Sequence, residues 1–285
     1  MSAVPSSSAA STLSELTVAD GTRLALRSWP APPGRPRGTV LLVHGLGEHS
    51  GRYEQVGQHL RAAGFSVESY DHRGHGRSQG PRGGLARPDD LLQDLAAVID
   101  RLRARHDGPL LLLGHSMGGL VAARFVADAL RPVDGLVLSS PALDAGLSAF
   151  NRALLAAAHA VARNVALGNG LDAQYISHDP AVVRAYRDDP LVHDRVTARL
   201  VRFLVDAGVY TRERAAQWQV PTLLMWAGSD RLVSPAGSAA FAERASAAVV
   251  ESHCFGHMYH ELYNEPDRAA VFAVLDAWLD RHCPR

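Results

Sequence analysis

Leu110-Leu111-Leu112-Leu113-Gly114-His115-Ser116-Met117-Gly118-Gly119-Leu120 constrains this chain more than any other stretch. The four leucines read as a buried strand, Leu120 to Leu130 as a helix, and Gly-x-Ser-x-Gly joins the two. A serine at so sharp a strand-to-helix turn is held in a strained backbone conformation with its hydroxyl exposed. Gly114 and Gly118 avoid side chains that would strike neighbouring backbone, and Gly119 lets the helix sit close to the strand. The start of the helix then directs free N–H groups and its positive end towards Ser116. A pentapeptide of this kind is weak evidence alone, because turns are rich in glycine and serine. Its strand and helix neighbours make it a nucleophile elbow.

Around this turn the chain alternates strands and helices. Leu16 to Arg27 alternates about Asp20-Gly21 and predicts a hairpin. Pro30 to Gly38 reads as a surface connection. Strands are expected at Thr39–Val43, Phe65–Tyr70, Leu110–Leu113 and Gly135–Ser139, with helices at Tyr53–Ala63, Asp89–Arg105 and Leu120–Leu130. Strands that are apolar on both faces and separated by helices imply a parallel sheet covered on both sides, with the hairpin antiparallel at one edge. After Pro141 the rhythm changes. Alanine-rich helical pieces run to about Gln217 with no convincing strand, and they read as a lid inserted over the strand ends. Alternation then resumes with strands at Val220–Trp226 and Val249–Cys254 and a closing helix at Asp267–Leu279. The expected division is a tail over 1–12, a first core part over 13–143, a helical cap over 144–217 and a second core part over 218–285.

Composition removes several function classes. Lys plus Arg equals Asp plus Glu, 29 each, so no net field recruits nucleic acid or an anionic membrane. Two cysteines, Cys254 and Cys283, argue against a disulfide framework and read as a buried thiol and a free thiol near the chain end. Met1 to Thr12 is rich in Ser and Ala and carries neither a basic start nor an apolar core segment, so a disordered tail without a signal peptide is expected. No uninterrupted apolar run is long enough for a bilayer, and a soluble cytoplasmic protein is the expectation.

Serine needs a base to take its proton, and the base needs an orienting partner. On an elbow of this kind the chain order is Ser, acid, His. Asp230 follows a strand in Trp226-Ala227-Gly228-Ser229-Asp230, and the next strand leads to Phe255-Gly256-His257-Met258-Tyr259-His260-Glu261. Asp144, at the cap entrance, is a rival acid; Asp71 precedes Ser116 and reads as a salt bridge to Arg73 or Arg77. His257 and His260 compete as base on position alone. His115 reads as packing and His282 as solvated, while His72 and His75 read as parts of a structural turn and not as metal ligands. Two N–H groups should receive the oxyanion: Met117, after the nucleophile, and Leu46, in His44-Gly45-Leu46-Gly47. A dinucleotide site is a poor match to that glycine loop, whose spacing is wrong.

Five blocks together resemble the monoacylglycerol lipase family of α/β-hydrolases, including bacterial and lysophospholipase-like members. They are His44-Gly45-Leu46-Gly47-Glu48-His49-Ser50-Gly51-Arg52-Tyr53, Asp71 to Ser78, Gly114 to Gly119, Gly228-Ser229-Asp230 and Tyr259 to Pro266. Ile176-Ser177-His178-Asp179-Pro180 and Asp189-Pro190-Leu191-Val192 in the cap share the likeness, which covers nearly the whole chain apart from the tail. The resemblance implies an eight-stranded, mostly parallel sheet with a helical lid before the acid-bearing strand. It also implies His260 as the base, and hydrolysis of fatty-acid glycerol monoesters with neither metal nor organic cofactor. His257 departs from the family, which usually carries glycine there. Glu48 and Arg52 fall where the family lines the polar end of its pocket, so they orient the glycerol or else form a local ion pair that fixes the oxyanion loop. Leu147, Phe150, Leu154, Leu155, Ala158 and Val161 recur at helical spacing in the cap. They pack on the core, wall an acyl tunnel or rest on a lipid surface. A lysophospholipase or broad carboxylesterase is the near alternative. An aminopeptidase, a cofactor-free haloperoxidase or a non-catalytic lipid carrier is more distant.

Overall fold

Runs of leucine and valine with no polar face form strands only where helices cover both sides, and the middle of this sheet is built from such runs. The computed structural model describes residues 10–146 and 148–284. Its main sheet has eight strands: β1 (Thr12–Thr17), β2 (Arg23–Trp29), β3 (Thr39–Val43), β4 (Ser66–Tyr70), β5 (Leu110–His115), β6 (Gly135–Ser139), β9 (Thr222–Ala227) and β10 (Val250–Phe255). In space they lie in the order β1-β2-β4-β3-β5-β6-β9-β10. All neighbours from β4 to β10 are parallel, while β1 and β2 pair antiparallel and β2 meets β4 antiparallel. Every residue of β3, β5 and β6 is buried.

One face of the sheet is covered by α1 (Glu54–Ala62) and α8 (Arg268–His282), whose Val56, Leu60, Leu275 and Trp278 join one apolar core. The other face is covered by α2 (Asp90–Arg103), α3 (Ser116–Ala127) and α7 (Pro235–Arg244). Between β6 and β9 the chain forms α4 (Ala149–Ala162), β7 (Ala166–Gly168), α5 (Pro180–Asp188), β8 (Arg195–Thr197) and α6 (Ala198–Glu213). This is the cap, and α6 seats it on α3 with Leu200, Phe203 and Ala207 buried.

Three expectations are corrected, and one helix that was not expected is added. The hairpin reaches back to Thr12, and Ser11 already bonds Glu54 and Arg27, so ordered chain begins inside the expected tail; residues 1–9 lie outside the described residues. β1 is largely exposed and held by main-chain bonds to β2, which leaves no apolar alternation to read before Leu16. The cap contains a small antiparallel pair, β7 with β8, of three residues each, too short to show a period. α7 begins Pro-Ala-Gly-Ser-Ala-Ala, without the apolar spacing that marks a helix. Both cysteines are free, but it is the terminal Cys283 that is buried and Cys254 that is exposed. Among the described residues no helix is long and apolar enough to cross a membrane.

Candidate active site

Ser116 has φ +53°, the left-handed region that non-glycine residues rarely occupy. It follows β5 and opens α3, and it is held there by the absence of side chains around it. A Cβ on Gly114 would lie 2.6 Å from the Gly119 Cα, and one on Gly118 would lie 2.1 Å from the Val43 carbonyl oxygen. A Cβ on Gly119 would lie 2.9 Å from the Pro141 Cβ. The elbow is therefore wedged between the ends of β3 and β6, and the first N–H groups of α3, Met117 included, have no partner within the helix.

Asp230 and His260 arrive from the neighbouring parallel strands β9 and β10. Their two loops touch through Gly228 and Gly256, where a Cβ on Gly228 would come within 2.7 Å of the Gly256 Cα. The Ser229 hydroxyl donates to the Gly256 carbonyl at 2.8 Å, which fastens them further. His260 Nδ1–H donates to Asp230 Oδ2 at 2.6 Å, and Asp230 Oδ1 accepts from the N–H groups of Leu232 and Val233 at 2.8 and 3.1 Å. Burial opposes the charge on both side chains. The mutual attraction and hydrogen bond nonetheless hold the Asp230 carboxyl below, and the His260 imidazole above, their ordinary values.

Ser116 and His260 face one cavity of about 270 Å³, also lined by Leu46, Glu48, Leu171, Ile176, Val192 and Leu232. No described hydrogen bond joins the serine hydroxyl to the imidazole, a contact that commonly tightens only once substrate is bound. The rival groups stand apart. Asp144 accepts from the Gly146 N–H, and His257 is exposed and pairs with Asp267 at 3.1 Å, away from the base. His115 is buried, with its Nδ1 3.3 Å from the Ser139 hydroxyl and its ring 4.7 Å from that of His260. Burial and the nearby His260 push it down to about 4. His282 is exposed and stacks on Trp278.

The oxyanion loop after β3 is tied from beneath. Glu48 Oε1 accepts from the Gly45 N–H and from the Tyr53 hydroxyl, both at 2.6 Å. Glu48 Oε2 takes Arg52 Nη1 at 2.6 Å, and the same guanidinium is bidentate to Glu261 at 2.6 and 2.8 Å. Burial opposes ionisation of Glu48, yet Arg52 and the Tyr53 hydroxyl hold its carboxyl down to about 2. Arg52 is thus the bridge between the loop carrying Leu46 and the loop carrying His260. Glu48 and Glu261 line the cavity, whereas Arg52 sits behind them. This is the local ion pair that the sequence left as one of two readings, enlarged by Glu261 and Tyr53. A glutamate directly after the base was the available signal for it.

Asp71 does not bridge to Arg73 or Arg77 through its side chain. Its oxygens take the backbone N–H groups of Ser50 and Arg77 at 2.8 Å each, while Arg73 pairs with Asp94 and Asp20. His44, His72 and His75 are buried together below the loop. The His44 Nδ1–H donates to the Gly45 carbonyl at 2.7 Å, and its Nε2 accepts the His72 N–H at 2.8 Å. Burial holds all three imidazoles below their usual value.

The cap stripe divides. Leu155 and Ala158 are half-buried on a helix that packs against α6, whereas Phe150 is 76 % exposed, Leu154 59 % and Val161 86 %, and none of the described stripe residues walls the cavity. The apolar cavity wall comes instead from Leu171, Ala173 and Ile176. Leu147 lies outside the described residues.

A parallel sheet, a strained serine at a strand-to-helix elbow and a buried Asp–His pair at its rim define the α/β-hydrolase fold in its serine form. The chain belongs to the Hydrolase_4 family (serine aminopeptidase, S33), which matches residues 34–267. It is 36 % identical over 266 residues to a monoacylglycerol lipase of Mycolicibacterium smegmatis, covering 92 % of this chain and 94 % of that one. It is 30 % identical over 261 residues to the phospholipase YtpA of Bacillus subtilis, covering 89 % and 99 %. The crystal structure of a monoacylglycerol lipase from Paleococcus ferrophilus superposes with a TM-score of 0.83 at 33 % identity, covering 91 % of this chain and 99 % of that one.

Proposed function

We propose that the protein hydrolyses the ester bond of monoacylglycerols, giving glycerol and a free fatty acid through an acyl-enzyme. The observation that carries this reading is the 2.6 Å His260–Asp230 pair sharing a cavity with Ser116 at its strained turn. Ser116 Oγ attacks the ester carbonyl as His260 Nε2 takes its proton. Asp230 stabilises the imidazolium, and the N–H groups of Leu46 and Met117 receive the oxyanion. His260 then protonates the departing glycerol oxygen. Water, deprotonated by the same imidazole, releases the fatty acid.

The charge inside the cavity supports an uncharged head group. Glu48 and Glu261, beside the nucleophile and the base, are already neutralised by Arg52. A phosphodiester would meet these two carboxylates beside the nucleophile, while the Arg187 guanidinium that also lines the cavity faces Asp172 at 3.8 Å, which disfavours lysophospholipids. The carboxylates that line the cavity are each paired, Glu48 and Glu261 with Arg52 and Asp194 with Arg195, which disfavours capture of a peptide α-ammonium and so aminopeptidase chemistry. A diol can donate to Glu48 Oε2, which accepts Arg52 and keeps a further lone pair, and in this reading Arg52 orients the glycerol through Glu48. The exposed apolar face of α4 serves as a contact for a lipid surface from which substrate is drawn. Two unpaired thiols accord with a cytoplasmic setting.

The test compares a monoacylglycerol, a diacylglycerol, lysophosphatidylcholine, a short aryl ester and an aminoacyl arylamide, with Ser116→Ala as control. The monoacylglycerol should have the highest kcat/KM, and Ser116 should be labelled by a fluorophosphonate. Faster turnover of lysophosphatidylcholine would favour the phospholipase reading, for which the Bacillus relative speaks. An unlabelled serine would leave a lipid carrier.

A further inference from the structure

Two sequence blocks without a triad member or oxyanion donor of their own, Ile176-Ser177-His178 in the cap and Asn264-Glu265 after the base, meet in the structure. The contact is continuous. Tyr175 and Ile176 present their carbonyl oxygens to the N–H groups of His260 and Glu261, at 3.5 and 2.8 Å. The Ser177 hydroxyl donates to the Asn264 carbonyl at 2.8 Å. Glu265, 2 % exposed, receives the His178 backbone N–H on Oε1 at 2.8 Å and the His178 Nδ1–H on Oε2 at 2.7 Å. The His178 ring lies flat on Tyr259, the residue before the base, with centroids 3.6 Å apart and planes 18° from parallel.

A buried carboxylate with both oxygens bonded to one residue of another element is a costly arrangement to break, because Glu265 would be left without those partners inside the protein, while the His178 side chain, 42 % exposed, would turn to water. It spans the base on both sides, Tyr259 before it and Glu265 after it. We propose that His178 and Glu265 form a positioning clasp through which the cap sets the orientation of His260. The cap then takes part in catalysis and does not only cover the cavity. Ile176 joins the two roles, since its side chain lines the cavity while its carbonyl holds the Glu261 N–H. Displacing a reacting group by about 1 Å typically costs about 10²-fold in rate, so a slackened clasp should appear in kcat and leave substrate binding alone. This inference rests on the proposed serine-hydrolase reading.

The experiment compares wild type, His178→Ala, His178→Asn and Glu265→Ala on a short aryl ester, with active sites counted by fluorophosphonate and folding followed by thermal unfolding. Per labelled site, His178→Ala and Glu265→Ala should lose on the order of 10- to 100-fold in kcat with KM within about twofold. His178→Asn, whose amide nitrogen can replace the imidazole Nδ1, should recover much of the loss. If kcat per labelled site stays at the wild-type value in both alanine variants, the clasp is packing only and the inference is overturned. Equal loss in the asparagine and alanine variants would overturn it as well, since the hydrogen bond would not be what matters. An inert, unlabelled wild type would instead sink the hydrolase reading and this inference with it.

Discussion

Asp230 and His260 are almost wholly inside the protein, with side chains 2 % and 6 % exposed, and burial alone would drive both towards their neutral forms. What offsets burial is the attraction of each for the other, together with the two backbone N–H groups that Asp230 accepts. The consequence for pH is direct. His260 must be unprotonated to accept the serine proton, and its raised pKa keeps it protonated over more of the acid range. The acidic limb of kcat/KM should therefore lie above 6.5, the ordinary histidine value. Asp230→Asn removes the attraction that raises it, so the limb should move to lower pH while kcat falls by about 10⁴-fold. A pH–rate profile of both proteins checks the shift. A limb that stays in place would mean that another carboxylate governs His260.

At the scale of elements, the site is a junction of loops, and one guanidinium holds two of them. Arg52 lies in the short turn Ser50–Tyr53 that precedes α1, yet it joins the oxyanion loop through Glu48 to the base loop through Glu261. Arg52→Ala would leave two buried carboxylates without a counter-charge, Glu48 keeping only its Gly45 and Tyr53 donors and Glu261 the Asn264 amide, and breaking buried pairs in this way costs about 3–5 kcal/mol. Chemical unfolding should show a stability loss of that order, accompanied by reduced kcat as the Gly45–Leu46 loop slackens. Unchanged stability would mean that water reaches and solvates both carboxylates. Order and proximity of the elements were legible beforehand. β3 and β6 match their expected bounds residue for residue, and the elbow was readable because its leucine strand, glycines and helix are contiguous. The Arg52–Glu261 bridge was not, because its partners are 209 residues apart and carry no local period.

For the molecule as a whole, the cap divides in two. From Ala173 to Thr197 it is fastened to the core. The Tyr175–His178 strap holds the base loop, His49 Nε2 meets Asp189 at 2.8 Å, the His193 N–H meets the Gly47 carbonyl at 2.9 Å, and Thr197 meets Gly83. α4, by contrast, turns Phe150, Leu154 and Val161 outward. Replacing these three by serine should leave hydrolysis of a dissolved aryl ester within about twofold and reduce both vesicle binding and turnover of vesicle-borne monoacylglycerol. Burying such side chains is worth roughly 1.5–3 kcal/mol each, so the loss of vesicle binding should be large. Vesicle binding equal to wild type would remove the lipid-contact role from α4.

The amino-acid sequence by itself determined the alternation of strands and helices, the elbow and the order of Ser116, Asp230 and the two candidate histidines, because all of these are written in neighbouring residues. Its likeness to a family then singled out His260. Only the tertiary structure decided that His257 turns out to Asp267, that Asp71 takes backbone N–H groups and not arginines, and that Phe150, Leu154 and Val161 of the α4 stripe face outward. Those outcomes depend on which side chains remote in the chain become neighbours, and burial and pairing energies act on that neighbourhood and not on the order of residues.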